Sequence, residues 1–207
     1  MLHIGVTGGI GSGKSTFLHV WEKHGVPVVY ADDLAKELMV SDPALRQQIV
    51  KLFGPKAYLD DGSLNRKYLA KEAFGKNRLQ ELNDAVHPAV YKEIAARKDK
   101  AAGQGHLLFA HESALLPDSD HRSMCDAIIL LTCPAVERIR RVTERDGTDP
   151  ENVGERIQKQ PAYEKMATEA DIVIHNDGSP EMLQRKAESL LKELKAISQS
   201  QSSSSNH

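Results

Sequence analysis

Residues 2–16 read LHIGVTGGIGSGKST, and the second half of that stretch decides the architecture. Gly8 to Ser15 fits the pattern G-x-x-x-x-G-K-S, a loop whose backbone N–H groups turn inward around phosphate oxygens. Gly8, Gly9, Gly11 and Gly13 accept the backbone angles of such a turn and carry no side chain to obstruct an anion. Ser12 lies within the same loop. Leu2 to Thr7 reads as a short strand feeding it, and a helix is expected from Lys14 to about His24, with Gly25 as its left-handed stop. The positive end of that helix adds to the cradle. Lys14 then reaches the β- and γ-phosphates, the Ser15 hydroxyl binds Mg²⁺, and Thr16 sits in the first turn.

Outward from the loop, short apolar runs alternate with helical patterns. VPVVY (26–30), HLLFA (106–110), DAIILLT (126–132) and DIVIHN (171–176) read as buried strands. Between the second and third of the five strands, Ser41 to about Gly105 offers only helices. Asp42-Pro43 is an N-cap followed by proline at the first helical position, and Gly54 closes that helix. Leu69, Ala73 and Phe74 suit a second helix and Leu79, Leu82 and Val86 a third, broken at His87-Pro88, with a further one from Tyr91. Cys133-Pro134 ends the fourth strand, a helix carrying three arginines runs to a stop at Gly147, and Asp149-Pro150 opens another. Ser179-Pro180 caps a last helix with Leu183, Ala187, Leu190, Leu194 and Ile197 on one face. Residues 198–207 are polar and serine-rich and are expected to be a disordered tail. Strands alternating with helices imply an α/β fold with a parallel sheet, whose active site lies at the carboxyl ends of the strands.

Composition narrows the class. With 27 basic and 29 acidic residues, the net charge of −2 gives no reason to expect nucleic-acid or anionic-membrane binding. No apolar run approaches the ~20 residues that span a bilayer, and the start lacks the charged and apolar regions of a signal peptide. A soluble cytoplasmic protein is expected. Cys125 and Cys133 read as reduced, structural thiols, with no ligand pair beside them in the sequence to make a metal site.

Asp32 follows the second strand, where a phosphoryl-transferring enzyme needs a carboxylate to orient the attacking hydroxyl and accept its proton. Asp33 reads as a helix N-cap. Glu112, just past the third strand, is a candidate to hold Mg²⁺ through water. Arg138, Arg141 and Arg145 share one helix face. Such faces are usually solvated, but Arg145 precedes a glycine hinge, so Arg145 and Arg141 are candidates to close over transferring phosphate.

Taken together, TGGIGSGKST (7–16), GVPVVYADDLAKEL (25–38), AVHPAV (85–90), RDG (145–147), RIQKQ (156–160) and ADIVIHNDG (170–178) resemble the dephospho-coenzyme A kinase family over nearly all of residues 2–195. The resemblance implies a three-layer P-loop NTPase fold with a five-stranded parallel sheet (core 1–40, 106–134 and 171–197), a helical acceptor-binding region (41–105) and a helical lid (135–170). It implies ATP as phosphoryl donor with Mg²⁺ and the ribose 3′-hydroxyl of dephospho-coenzyme A as acceptor; the sequence does not fix the oligomeric state, and a monomer is expected. It puts Asp32 on the catalytic aspartate, Thr7, Asp32 and His87 on the acceptor side, and Asn176 and Gly178 on the loop near adenine. Three places depart from the family pattern. Tyr30 replaces an aspartate, Lys165 stands where an arginine is common, and HESALLPD (111–118) puts Glu112 in an aspartate's place and Pro117-Asp118 in that of Phe-Glu. Three rival readings are another small-molecule kinase of this architecture, a nucleotide switch, and a non-catalytic nucleotide-binding module. The switch would need a guanine-reading N-K-x-D stretch, which the sequence lacks.

Overall fold

Five strands form one sheet in the order β2-β3-β1-β4-β5: β1 (Leu2–Gly8), β2 (Val28–Tyr30), β3 (Leu108–Glu112), β4 (Ala127–Thr132) and β5 (Ile172–His175). β1 pairs in parallel with both β3 and β4, and β4 pairs in parallel with β5. The first strand of the chain is therefore the middle of the sheet, and Ile4, Val6 and the apolar residues Ile128 to Leu131 of β4 are wholly buried. All five strands stand where the apolar runs put them. One boundary moves in a way that matters: β3 extends to Glu112, so that carboxylate is carried by the strand's last residue instead of the loop beyond it.

This computed structural model describes residues 1–75, 77–113, 121–158, 160 and 163–204. Pro117-Asp118 and the side chain of Lys165 lie outside the described residues. The chain divides into two units, Met1–Val29 with Lys98–His207, and Tyr30–Arg97, whereas the sequence set the insertion at 41–105.

In the first unit, α1 (Lys14–Lys23) packs against α10 (Pro180–Ser204). Phe17, Leu18 and Trp21 are fully buried there, and the Trp21 indole N–H donates to the Ala187 carbonyl at 2.9 Å. Trp21→Ala should cost about 3–5 kcal/mol of unfolding free energy, the range for removing a buried aromatic ring; the midpoint of urea unfolding measures it. The buried face of α10 runs through Leu183, Ala187, Leu191, Leu194 and Ser198, while Ile197 is 47% exposed. The helix also does not stop at Ile197. Its polar end continues to Ser204, and the buried Ser198 hydroxyl donates to the Leu107 carbonyl at 2.8 Å. The expectation of a disordered tail is thus corrected over 198–204, residues 205–207 lying outside those described: composition favoured disorder, but one satisfied buried hydroxyl ties the helix to the sheet. α6 (His121–Met124), α7 (Ala135–Asp146), α8 (Pro150–Gln158) and α9 (Tyr163–Glu169) complete this unit. Gly147 ends α7 in the left-handed conformation and Asp149 caps α8, both as read from the sequence.

The second unit holds α2 (Ala31–Ser41), α3 (Pro43–Phe53), α4 (Arg66–Gly75) and most of α5 (Leu79–Gly103). Asp42 caps α3 through the Ala44 and Leu45 N–H groups. Leu34, Leu45, Ile49, Phe53, Leu69 and Ile94 are among its buried side chains. α5 corrects a second expectation. It is one helix of 25 residues with Pro88 inside it, not two helices broken at His87-Pro88. Proline removes one helical donor, but Ala85, Val86, Val90 and Ile94 on both sides of it are buried, and packing of that face outweighs the lost hydrogen bond. Among the described residues no helix is long and apolar enough to cross a membrane.

Candidate functional site

The glycine loop is held from behind by three side chains. Asn176, directly after β5, is buried and donates from Nδ2 to the Ser12 carbonyl at 2.8 Å, while its own N–H bonds the Thr132 carbonyl at 2.7 Å. Gly13 has φ 98°, and a Cβ there would strike the Asn176 amide nitrogen. Arg138 of α7 is only 6% exposed. Its Nε donates to the Ile10 carbonyl at 2.8 Å and its terminal nitrogen to Gln160 Oε1 at 2.7 Å. Gln160 Oε1 in turn accepts the Ile10 N–H at 2.9 Å. The guanidinium and the Gln160 amide therefore satisfy both backbone groups of Ile10, and a Cβ on Gly9 would collide with the guanidinium.

The face of the loop is a cavity of about 400 Å³ lined by Gly11, Lys14, Ser15, Glu112, Arg141 and Arg145, among others. Lys14 Nζ donates to the carbonyls of Gly8 (2.8 Å) and Gly9 (3.3 Å) and lies 3.5 Å from Glu112 Oε1. No side chain caps α1, whose N-cap is Gly13, so the orphan N–H groups of its first turn suit an anion. A second cavity of about 370 Å³ adjoins the first through Gly13, Thr16 and Arg141 and is lined also by Asn176, Gly178 and Leu183. Arg141 donates to the Asn176 carbonyl at 3.5 Å and pairs with Glu137 at 3.7 Å. Arg145 is clasped by its neighbour Asp146 at 2.6 and 3.0 Å, which holds the Asp146 carboxyl below its usual range.

The first unit thus brings together Gly8, Gly9, Gly11, Ser12, Gly13, Lys14, Ser15, Thr16, Glu112, Arg141, Arg145, Asn176 and Gly178. Thr7 is fully buried at the foot of the loop, so its side chain presents no surface to a ligand. Asp32 and His87 belong to the second unit. Asp32 is exposed in the first turn of α2, two residues past the end of β2, and His87 stacks near Tyr91 at 5.8 Å on α5. Asp33 caps nothing and pairs with Lys36 at 2.6 Å.

Sequence reasoning gave no role to Arg138 or Gln160. Helical spacing put Arg138 on the face of Arg141 and Arg145, but spacing does not reveal burial. Gln160 lay inside the quoted RIQKQ stretch without a partner to name. Arg138→Met should weaken binding of a nucleoside triphosphate about 10- to 100-fold, because losing a charged hydrogen bond costs ~1.5–3 kcal/mol and frees Ile10 to move. Titration calorimetry with non-hydrolysable triphosphate analogues measures this.

A profile of the dephospho-CoA kinase family matches residues 2–181. A dephospho-CoA kinase of Salinibacter ruber is 41% identical over 191 residues, covering 92% of this chain and 96% of its own length. A solved protein of Thermus thermophilus superposes with a TM-score of 0.78 at 32% identity, over 93% of this chain and 97% of its own. A dephospho-CoA kinase of Campylobacter jejuni, 21% identical, gives a TM-score of 0.71 over 94% of this chain and 97% of its own and bears on the fold alone.

Proposed function

Because the chain belongs to the dephospho-CoA kinase family, we propose that it transfers the γ-phosphoryl group of ATP to the ribose 3′-hydroxyl of dephospho-CoA. The products are coenzyme A and ADP, and this is the last step of coenzyme A biosynthesis. The observation that carries the reading is the family match across the whole of the phosphate cradle, the insertion and the residues after β5.

Each group has a part in this reading. The loop N–H groups and Lys14 hold the β- and γ-phosphate oxygens, releasing Lys14 from the Gly8 and Gly9 carbonyls. The Ser15 hydroxyl and the Glu112 carboxylate both face the cavity, an oxygen donor set that suits a hard divalent cation. They would hold Mg²⁺, Glu112 through water, and the bound ion would neutralise charge on the phosphates. The second cavity, with Asn176 and Gly178, takes the adenine. Asp32 accepts a hydrogen bond from the 3′-hydroxyl and takes its proton late in a loose transition state, where positioning counts for more than basicity. His87 belongs to the acceptor side. The lid from 135 to 170 closes, Arg145 exchanges Asp146 for phosphate oxygens, Arg141 joins it, and water is kept from the γ-phosphoryl. All of these residues belong to one chain, which is compatible with a monomer, and the biosynthetic role fits the cytoplasm.

The test is ADP release from ATP and Mg²⁺ with each of several acceptors: dephospho-CoA, nucleoside monophosphates and shikimate-like alcohols. Stimulation by dephospho-CoA above every other acceptor is expected. Equal or greater stimulation by another acceptor would assign the chain to a different small-molecule kinase activity.

A further inference from the structure

The sheet places two histidines and a cysteine together, apart from both cavities of the nucleotide site. His3 and His111 are both buried. The parallel register sets His3 beside Phe109 and Gly5 beside His111, so all four residues share one face of the sheet. Gly5, on β1, carries no side chain on that face. His3 Nε2 lies 2.8 Å from His111 Nδ1, with Phe109 edge-on to the His3 ring at 5.0 Å. Cys125, just past α6, puts its sulfur 4.0 Å from the same His111 nitrogen. The three ligand atoms all lie within 4.8 Å of one another.

We infer that His3, His111 and Cys125 form a binding site for a thiophilic d¹⁰ cation, with Zn²⁺ as its probe, which staples β1, β3 and the α6 turn together.

The donor set is the first argument. Two imidazoles and a thiolate suit borderline and soft ions such as Zn²⁺ and Cu⁺, not the Mg²⁺ of the phosphate cradle. Geometry is the second. Bonds of about 2.0–2.1 Å to nitrogen and 2.3 Å to sulfur put tetrahedral N···N and N···S edges near ~3.3 and ~3.6 Å. The observed 2.8 and 4.0 Å each lie about half an ångström from those values, and the third edge is no longer than 4.8 Å. The third argument is that the backbone around the ligands is already fixed. Asp126 accepts the His3 N–H at 2.7 Å and donates its own N–H to the His3 carbonyl at 2.8 Å, tying the residue after Cys125 to the residue that carries the first imidazole. Arg122 reaches the Cys125 carbonyl at 3.5 Å and bridges to Asp171 at 3.2 Å. Binding replaces the thiol S–H by a sulfur–metal bond, and the proton leaves to solvent. Sequence spacing shows no ligand pair near Cys125 because both partners arrive through strand pairing.

The experiment uses the full chain, its Cys125→Ser and Cys133→Ser variants, and Co²⁺ as a spectroscopic substitute for Zn²⁺. After dialysis against Co²⁺, the native chain and Cys133→Ser should each retain one equivalent and show a thiolate-to-cobalt charge-transfer band. Cys133→Ser has Cys125 as its one thiol, so the band there assigns the sulfur even if Cys125→Ser fails to fold. Folded Cys125→Ser should lose the band, and Zn²⁺ should raise the melting temperature of the native chain but not of that variant. A native chain that retains no stoichiometric metal, or a band that survives Cys125→Ser, overturns the inference. Neither readout depends on phosphoryl transfer.

Discussion

Replacing Asp32 with Asn should lower turnover at least ~100-fold, the usual loss when a positioned acid or base is removed, and leave ATP binding nearly unchanged. The asymmetry follows from the roles assigned above. The phosphate cradle is built from Gly8 to Thr16 and the residues behind it, and none of those contacts uses Asp32. The amide keeps the size of the carboxylate but cannot take the proton of the attacking hydroxyl. Asp33 serves as the internal control. It is committed to Lys36 at 2.6 Å on the helix surface, so Asp33→Asn should turn over as the parent does. Steady-state rates with dephospho-CoA, alongside calorimetric binding of a non-hydrolysable ATP analogue, measure both. An Asp32→Asn enzyme working at the parent rate would remove Asp32 from the mechanism.

The second large effect is expected at Lys14. Lys14→Met should lower kcat by about 10²–10³, the scale of losing one preorganised donor to developing charge. The ammonium lies among two loop carbonyls and the Glu112 carboxylate, with only 11% of its side chain exposed. Methionine keeps much of the stem but removes the ammonium that stands between Glu112 and the phosphates, so KM for ATP should rise as well. Lys14→Arg should not rescue it, because a planar guanidinium fork cannot replace a compact ammonium inside a tight glycine loop. ADP release by Lys14→Met within about tenfold of the parent would contradict the electrostatic role.

How much of this was legible in the sequence depended on whether the signal was local. The central strands read as short apolar runs because both of their faces are buried, and each of the five strands was found. The loop was legible because glycine spacing and Lys14-Ser15 report backbone geometry directly. The stops at Gly25 and Gly147 and the caps at Asp42 and Asp149 were legible for the same reason. What failed was whatever burial decided. Pro88 marked a helix end by every local rule, yet a buried face carries α5 through it. A serine run marked disorder, yet Ser198 is packed against Leu107. Arg138 looked like one of three surface arginines, and its contact with Ile10, 128 positions away in the chain, carries no local signature. The His3–His111–Cys125 cluster was hidden likewise, since it exists only through the register of β1 against β3.

In this mechanism the cradle delivers its phosphoryl group to one defined hydroxyl. The most direct measurement follows the γ-phosphorus itself. ATP labelled at that position is incubated with the enzyme, Mg²⁺ and dephospho-CoA, and the labelled product is separated and treated with a 3′-nucleotidase. Label is expected in coenzyme A and should be released in full by that treatment. Label found as inorganic phosphate before treatment, or on coenzyme A in a position the 3′-nucleotidase does not cleave, would contradict it.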